Sequence, residues 1–159
     1  MSIRARIEDA LFLWDNARLE GAFLSALAAV AATARRQFPD RKAVSDREAF
    51  ERFLTGAHSV RISVEYRGKC HSVEHILYKW LRCELVHEGG IPVDIQFMAD
   101  DQPGSMSVRA GGAPEYVLTI SHGWFHYLIN SVVRAPVNRG EFRNFTQGGA
   151  QHVVGPERR

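Results

Sequence analysis

The sequence predicts a helix-dominated α+β fold: a helical bundle with a small antiparallel β-sheet formed by inserted strands. Three observations carry this. An alanine-rich apolar run at 21–34 spaces its larger groups, Phe23, Leu24, Leu27 and Val30, as a helix does. The amphipathic stretch 72–87 follows a serine and ends on two glycines. Short alternating runs, set apart from the helices and divided by turn sequences such as "DDQPG" and "GGAP", read as strands.

Length and composition bound the answer. The chain has 159 residues, 45% of them apolar, which fits one domain with a real core. That domain is placed at 1–136, with a loosely ordered C-terminal tail at 137–159. The formal net charge is only +2, so the dense basic stripe of a duplex-DNA binder is not expected. Cys70 and Cys83 are the only cysteines, with no disulfide or zinc spacing, so a reducing, cytoplasmic setting is expected. No apolar segment follows the charged N-terminus as a leader would require. The 21–34 run is shorter than a membrane span and closes on Arg35 and Arg36, so it is a buried helix.

The elements follow in order. Ile3, Ile7, Leu11 and Trp14 mark a first helix over 3–14. Asp15 or Asn16 is placed to cap the second, which runs to about Arg36 and stops before Pro39. Ser45 caps a third, 45–54, with Glu48 at the capping-box position and Gly56 ending it. Alternation of Val60, Ile62, Val64 and Tyr66 predicts a strand over 59–66, turned by "RGK". Ser72 caps the helix 72–87. Strands are expected at 93–99, 105–110 and 115–121. A final amphipathic helix, 122–133, stops before Pro136, and Phe142 and Phe145 are expected to dock from the tail.

The chemistry-bearing stretch is "LYKWLRCELVHEGG", 77–90. On an ideal wheel Val73, Ile76, Leu77 and Trp80 form the core stripe. Glu84 falls on that stripe, where a carboxylate needs a partner or a wet rim. His87 lies on the flank. Arg82 points the other way, beside His75, Tyr78 and Lys79. Arg82 and His87 stand about 140° apart on an ideal helix, unless the last turn unwinds at Gly89-Gly90. Lys79, Arg82 and His75 make a candidate phosphate track, although a solvated face is the commoner meaning of such residues. His71/His75 and His122/His126, each four apart, invite a four-His metal site. No closed ligand set is evident, and no metal or cofactor is expected.

This block resembles the HEPN superfamily, whose signature is an arginine, four to six residues, then a histidine at a helix end. "ALFLWDNARLEGAFLSALAAVAATARRQFP" is similar to the paired N-terminal helices of such domains. The resemblance covers about residues 3–89 and the final helix; the strands at 93–121 read as an insertion. It implies a homodimer with the two Arg/His helices facing across a cleft. It also implies a metal-independent endoribonuclease of toxin–antitoxin, phage-defence or RNA-processing type. Arg82 and His87 would be the catalytic pair, Glu84, Tyr78 and Glu88 support, and Lys79 and His75 phosphate contacts. Active members often carry Asn, Asp or His after the arginine, where this chain has Cys83. Some toxins place a tyrosine two residues after the histidine, where this chain has Gly89.

The expected partners are single-stranded RNA, a second copy, and an antitoxin or other protein; neither a membrane nor duplex DNA is expected. RNA carries its own nucleophile, the 2′-hydroxyl. An imidazole exchanges protons near neutral pH, and a guanidinium forks onto phosphate oxygens. Two rival readings stand beside cleavage: a non-catalytic RNA-binding or partner-docking member, and a structural helical dimer with no RNA role. The dimer interface is expected on the Arg82 face, because Tyr78, Leu85 and Val86 would otherwise be exposed there.

Overall fold

The computed structural model describes residues 2–58, 61–100, 102, 105–111 and 117–145. Helix α1 (Ile3–Asp15) starts where Ser2 Oγ accepts the Ala5 N–H, and it buries Ile3, Ile7 and Ala10. Asn16 closes α1 rather than opening the next helix: its backbone N–H and its Nδ2 both donate to the Phe12 carbonyl. Helix α2 (Leu19–Gln37) starts at Arg18 with no side-chain cap. The tight link between the two helices satisfies the end of α1, and it needs Ala17 at a φ of 55°.

Helix α2 touches α1, the helices over 46–57 and 73–87, and the last helix, over 123–134. Its buried alanines, Ala22, Ala26, Ala29 and Ala34, leave room for those neighbours, while Phe23, Leu27 and Val30 fill the space between. Arg35 ends α2 by donating to the Phe38 and Val44 carbonyls, pinning the loop that leads to α3 (Asp46–Ala57). Ser45 Oγ accepts the Glu48 N–H as expected, but the Glu48 carboxylate pairs with Arg52.

Strand β1 (Ser63–Tyr66) pairs with a strand the sequence did not reveal, β2 (Lys69–Ser72), antiparallel with Ser63 opposite Ser72. The expected strand start at 59–60 lies outside the described residues. Arg67 and Gly68 turn this hairpin, both at positive φ. The second sheet is mixed, not antiparallel throughout. In the order β3-β5-β4, β3 (Ile95–Met98) runs parallel to β5 (Leu118–Ser121), and β4 (Val108–Ala110) runs antiparallel to β5. These strands are shorter than expected, and most of the "GGAP" turn and residues 115–116 lie outside the described residues. Tyr66 Oη and the Arg67 fork all bind Asp94 at 2.7–2.8 Å, tying the hairpin to the sheet.

Helix α6 (Gly123–Arg134) buries Trp124, Phe125, Leu128, Ile129 and Val132. It needs glycine first: a Cβ at Gly123 would fall onto the Ser105 carbonyl, and the Gly123 N–H donates to Asp100 Oδ1. The expected loose tail from 137 is packed through Phe145. Asn138 Nδ2 donates to Thr33 Oγ1 and the Val132 carbonyl, Phe142 is buried, and Phe145 meets it edge to face. Residues 146–159 lie outside the described residues. No helix among the described residues is long and apolar enough to cross a membrane.

Candidate functional site: an arginine-lined groove on the α2 face

The helix carrying the Arg/His stretch is not uniform. Ser72 Oγ caps it through the His75 N–H, and α4 (Val73–Ile76) opens it. Residues Leu77–Cys83 form a π-helical segment, and α5 (Glu84–His87) finishes it. The wider π turn shifts the buried stripe from the ideal wheel. Val73, Leu77, Leu81 and Leu85, each four apart, are buried with Ile76, whereas Trp80 is only half-buried. Glu84 is accordingly half-buried rather than core, and its charge is felt by Arg67. The buried carboxylate of this helix is Glu74, which meets His58 Nε2 at 2.7 Å.

Arg82 leaves the helix on the side facing α2. Its guanidinium lies over the Tyr78 ring, 5.4 Å from the centroid. It has no hydrogen-bond or ion-pair acceptor among the described residues, and its Nε is buried without one. Tyr78 packs edge to face on Phe50, and burial raises its phenol pKa, with the Arg82 charge opposing.

The two side chains belong to a groove of about 500 Å³ floored by Ala28, Ala31 and Ala32 of α2 and edged by Arg35, Arg36, Arg41 and Asp46. Arg35 Nη2 binds Asp46 Oδ1 at 2.6 Å, and Arg41 stands 3.9 Å from the other oxygen. Arg36 is engaged elsewhere, by Glu141 and Asn138. Sequence reasoning missed Arg35, Arg41 and Asp46. In the sequence Arg35 and Arg36 only close the apolar run, and nothing local to the loop announces that it brings Arg41 to the groove that Arg82 lines.

The other candidate residues sit apart from this groove. His87 is exposed, with no side-chain partner among the described residues, and it does not line the groove. Glu88, also exposed, closes α5 through its N–H to the Glu84 carbonyl. Gly89, at a φ of 74°, turns the chain away. Lys79 lies on the Trp80 ring and His75 Nδ1 meets Glu51 Oε1 at 2.9 Å, so neither reaches toward Arg82. His71 stacks on His75, and burial, with the charges of His75, Lys79 and Lys69, lowers its pKa. His122 and His126 lie against Trp14 instead. No group of three His, Cys, Asp or Glu able to hold a metal occurs among the described residues, so the two His pairs do not converge.

The apolar reasons for a dimer on the Arg82 face also change. Leu85 is buried within the chain and Tyr78 is half-buried, which leaves Val86 exposed.

Fold and groove together define a helix-dominated α+β protein with a cationic cleft beside its central helix. Residues 2–147 match the family model Rv1289, and the chain belongs to the Rv1289 family, whose name states no activity. Comparison with curated proteins and with solved structures gives no match.

Proposed function

We propose that this chain is a HEPN-like RNA-binding protein whose arginine groove receives backbone phosphate. One observation carries the reading: Arg82 is a partly buried guanidinium with an aromatic ring on one side and no carboxylate bonded to it among the described residues. Its Nε is shielded from water without an acceptor, and a phosphate oxygen would supply the missing one. The alanine floor adds to this, because it lets a bulky ligand approach α2 closely.

Metal-independent cleavage of single-stranded RNA is the second reading. His87 favours it: the imidazole is exposed, unengaged and set at a glycine turn. In one copy His87 lies outside the groove, so cleavage requires a second copy to carry its His87 to the phosphate held by Arg82. There the imidazole would take the 2′-hydroxyl proton or protonate the leaving 5′-oxygen.

The test offers a labelled mixed-sequence single-stranded RNA to the purified protein in EDTA. Binding by wild type, weakened in Arg82→Ala, supports the proposal. Fragments ending in 2′,3′-cyclic phosphate, lost in His87→Ala, would promote the second reading. Absence of any salt-sensitive binding would leave only a structural role.

A further inference from the structure

We infer that the groove beside Arg82 is a receptor for a phosphate monoester, the terminal phosphate of an RNA chain or that of a free nucleotide. The inference rests on reading Arg82 as facing an anion. It goes further by choosing which anion.

Charge makes the choice. Arg35, Arg41 and Arg82 face the groove against one carboxylate, Asp46, which leaves two formal positive charges in excess. Arg36 is balanced by Glu141. An internal phosphodiester carries a single negative charge and would leave this site under-neutralised. A monoester carries about −1.5 to −2 near pH 7, with three acceptor oxygens.

The donor arrangement agrees. The three arginines come from α2, the following loop and the π-helical segment, so they approach from different directions. Arg35 and Arg82 each keep a buried Nε with no acceptor, so both guanidiniums fall short of their hydrogen-bonding capacity. Ala28, Ala31, Ala32 and Arg35 follow one another along one side of α2, so the small residues clear space directly beside the Arg35 charge. At about 500 Å³ the groove is large enough for one nucleotide, with the Tyr78 ring at its wall.

Asp46 explains how the site persists without a ligand. It is exposed, yet it holds Arg35 at 2.6 Å and lies near Arg41, at the start of α3. It occupies the place of an oxyanion and must yield to one. Its removal should therefore help a phosphate rather than harm it.

The experiment titrates the full chain with one short RNA in three forms: 5′-phosphorylated, 3′-phosphorylated, and hydroxyl at both ends. Adenosine monophosphate, with adenosine as its control, serves as the free-nucleotide arm. A phosphorylated end should tighten binding about tenfold or more, as expected for new charge-assisted hydrogen bonds. Arg41→Gln, at a side chain 73% exposed and therefore safe for folding, should remove most of that gain. Asp46→Asn should enlarge it. Equal affinity for all three RNAs, with no binding of the monophosphate, overturns the monoester inference and leaves internal-phosphate binding standing. Binding of the monophosphate with no binding of any RNA upholds the monoester site and overturns the RNA reading. No binding of any probe overturns both.

Discussion

Arg67 and Arg82 both lay a guanidinium on an aromatic ring of the same helix, and they differ in everything else. Arg67 lies 4.5 Å from the Trp80 centroid and forks onto both oxygens of Asp94. Asp94 is further held by Tyr66 Oη, so every charge in that cluster has a counterpart. Arg82 lies over Tyr78 and meets no carboxylate. The first arrangement is finished within the chain and fastens the β1–β2 hairpin to the β3-β5-β4 sheet. The second lacks an anion and faces a groove. A saturated arginine is a fastener; an unsaturated one beside a cavity is a candidate for a ligand.

That contrast predicts opposite outcomes at the two sites. Asp94→Ala should be the most damaging to stability, at about 2–3 kcal/mol in urea unfolding. It leaves the hydroxyl of the buried Tyr66 without an acceptor and frees the Arg67 fork. Its affinity for single-stranded RNA should not change. Arg82→Ala should do the reverse. RNA affinity should fall about tenfold, while stability falls by about 1 kcal/mol or less, because the contact with the Tyr78 ring is the one partner inside the chain that is lost.

Acid should expose the same difference. The Arg67 fork, aided by the Tyr66 hydroxyl, holds the Asp94 pKa at about 2, below the ordinary 3.8. A depressed folded-state pKa gives stability that is complete above the unfolded value. It is lost as pH falls from about 4 through about 2. Wild type should weaken through that window, and Asp94→Asn should lose this contribution to the slope, as followed by urea midpoints at stepped pH. The smallest effect is expected from Arg67→Lys, about 1 kcal/mol or less, since an ammonium keeps the charge but not the fork and the side chain is half-exposed.

Legibility in the sequence followed the range of the interaction. Helices α1, α2, α3 and α6 were plain because apolar spacing and the Ser45 cap are local signals. Strand β2 was hidden because "KCHS" is short and polar and serves as the lead-in to a helix. The parallel pairing of β3 with β5 was hidden because strand order across an inserted β4 leaves no local pattern. An ideal wheel placed Glu84 in the core stripe; the π-helical segment from Leu77 to Cys83 moved it to the edge. Arg82 stood out from its surroundings, whereas Arg35, Arg41 and Asp46 joined it only through the tertiary path of the loop after α2.

The central claim, that Arg82 faces a phosphate, is tested most directly by the salt dependence of single-stranded RNA binding in wild type and Arg82→Ala. The measurement is fluorescence anisotropy over a range of salt concentration. For a lost phosphate contact, the slope of log affinity against log salt should be shallower in the variant by about 0.7. Parallel lines at equal affinity would contradict the claim and return Arg82 to the role of a surface charge.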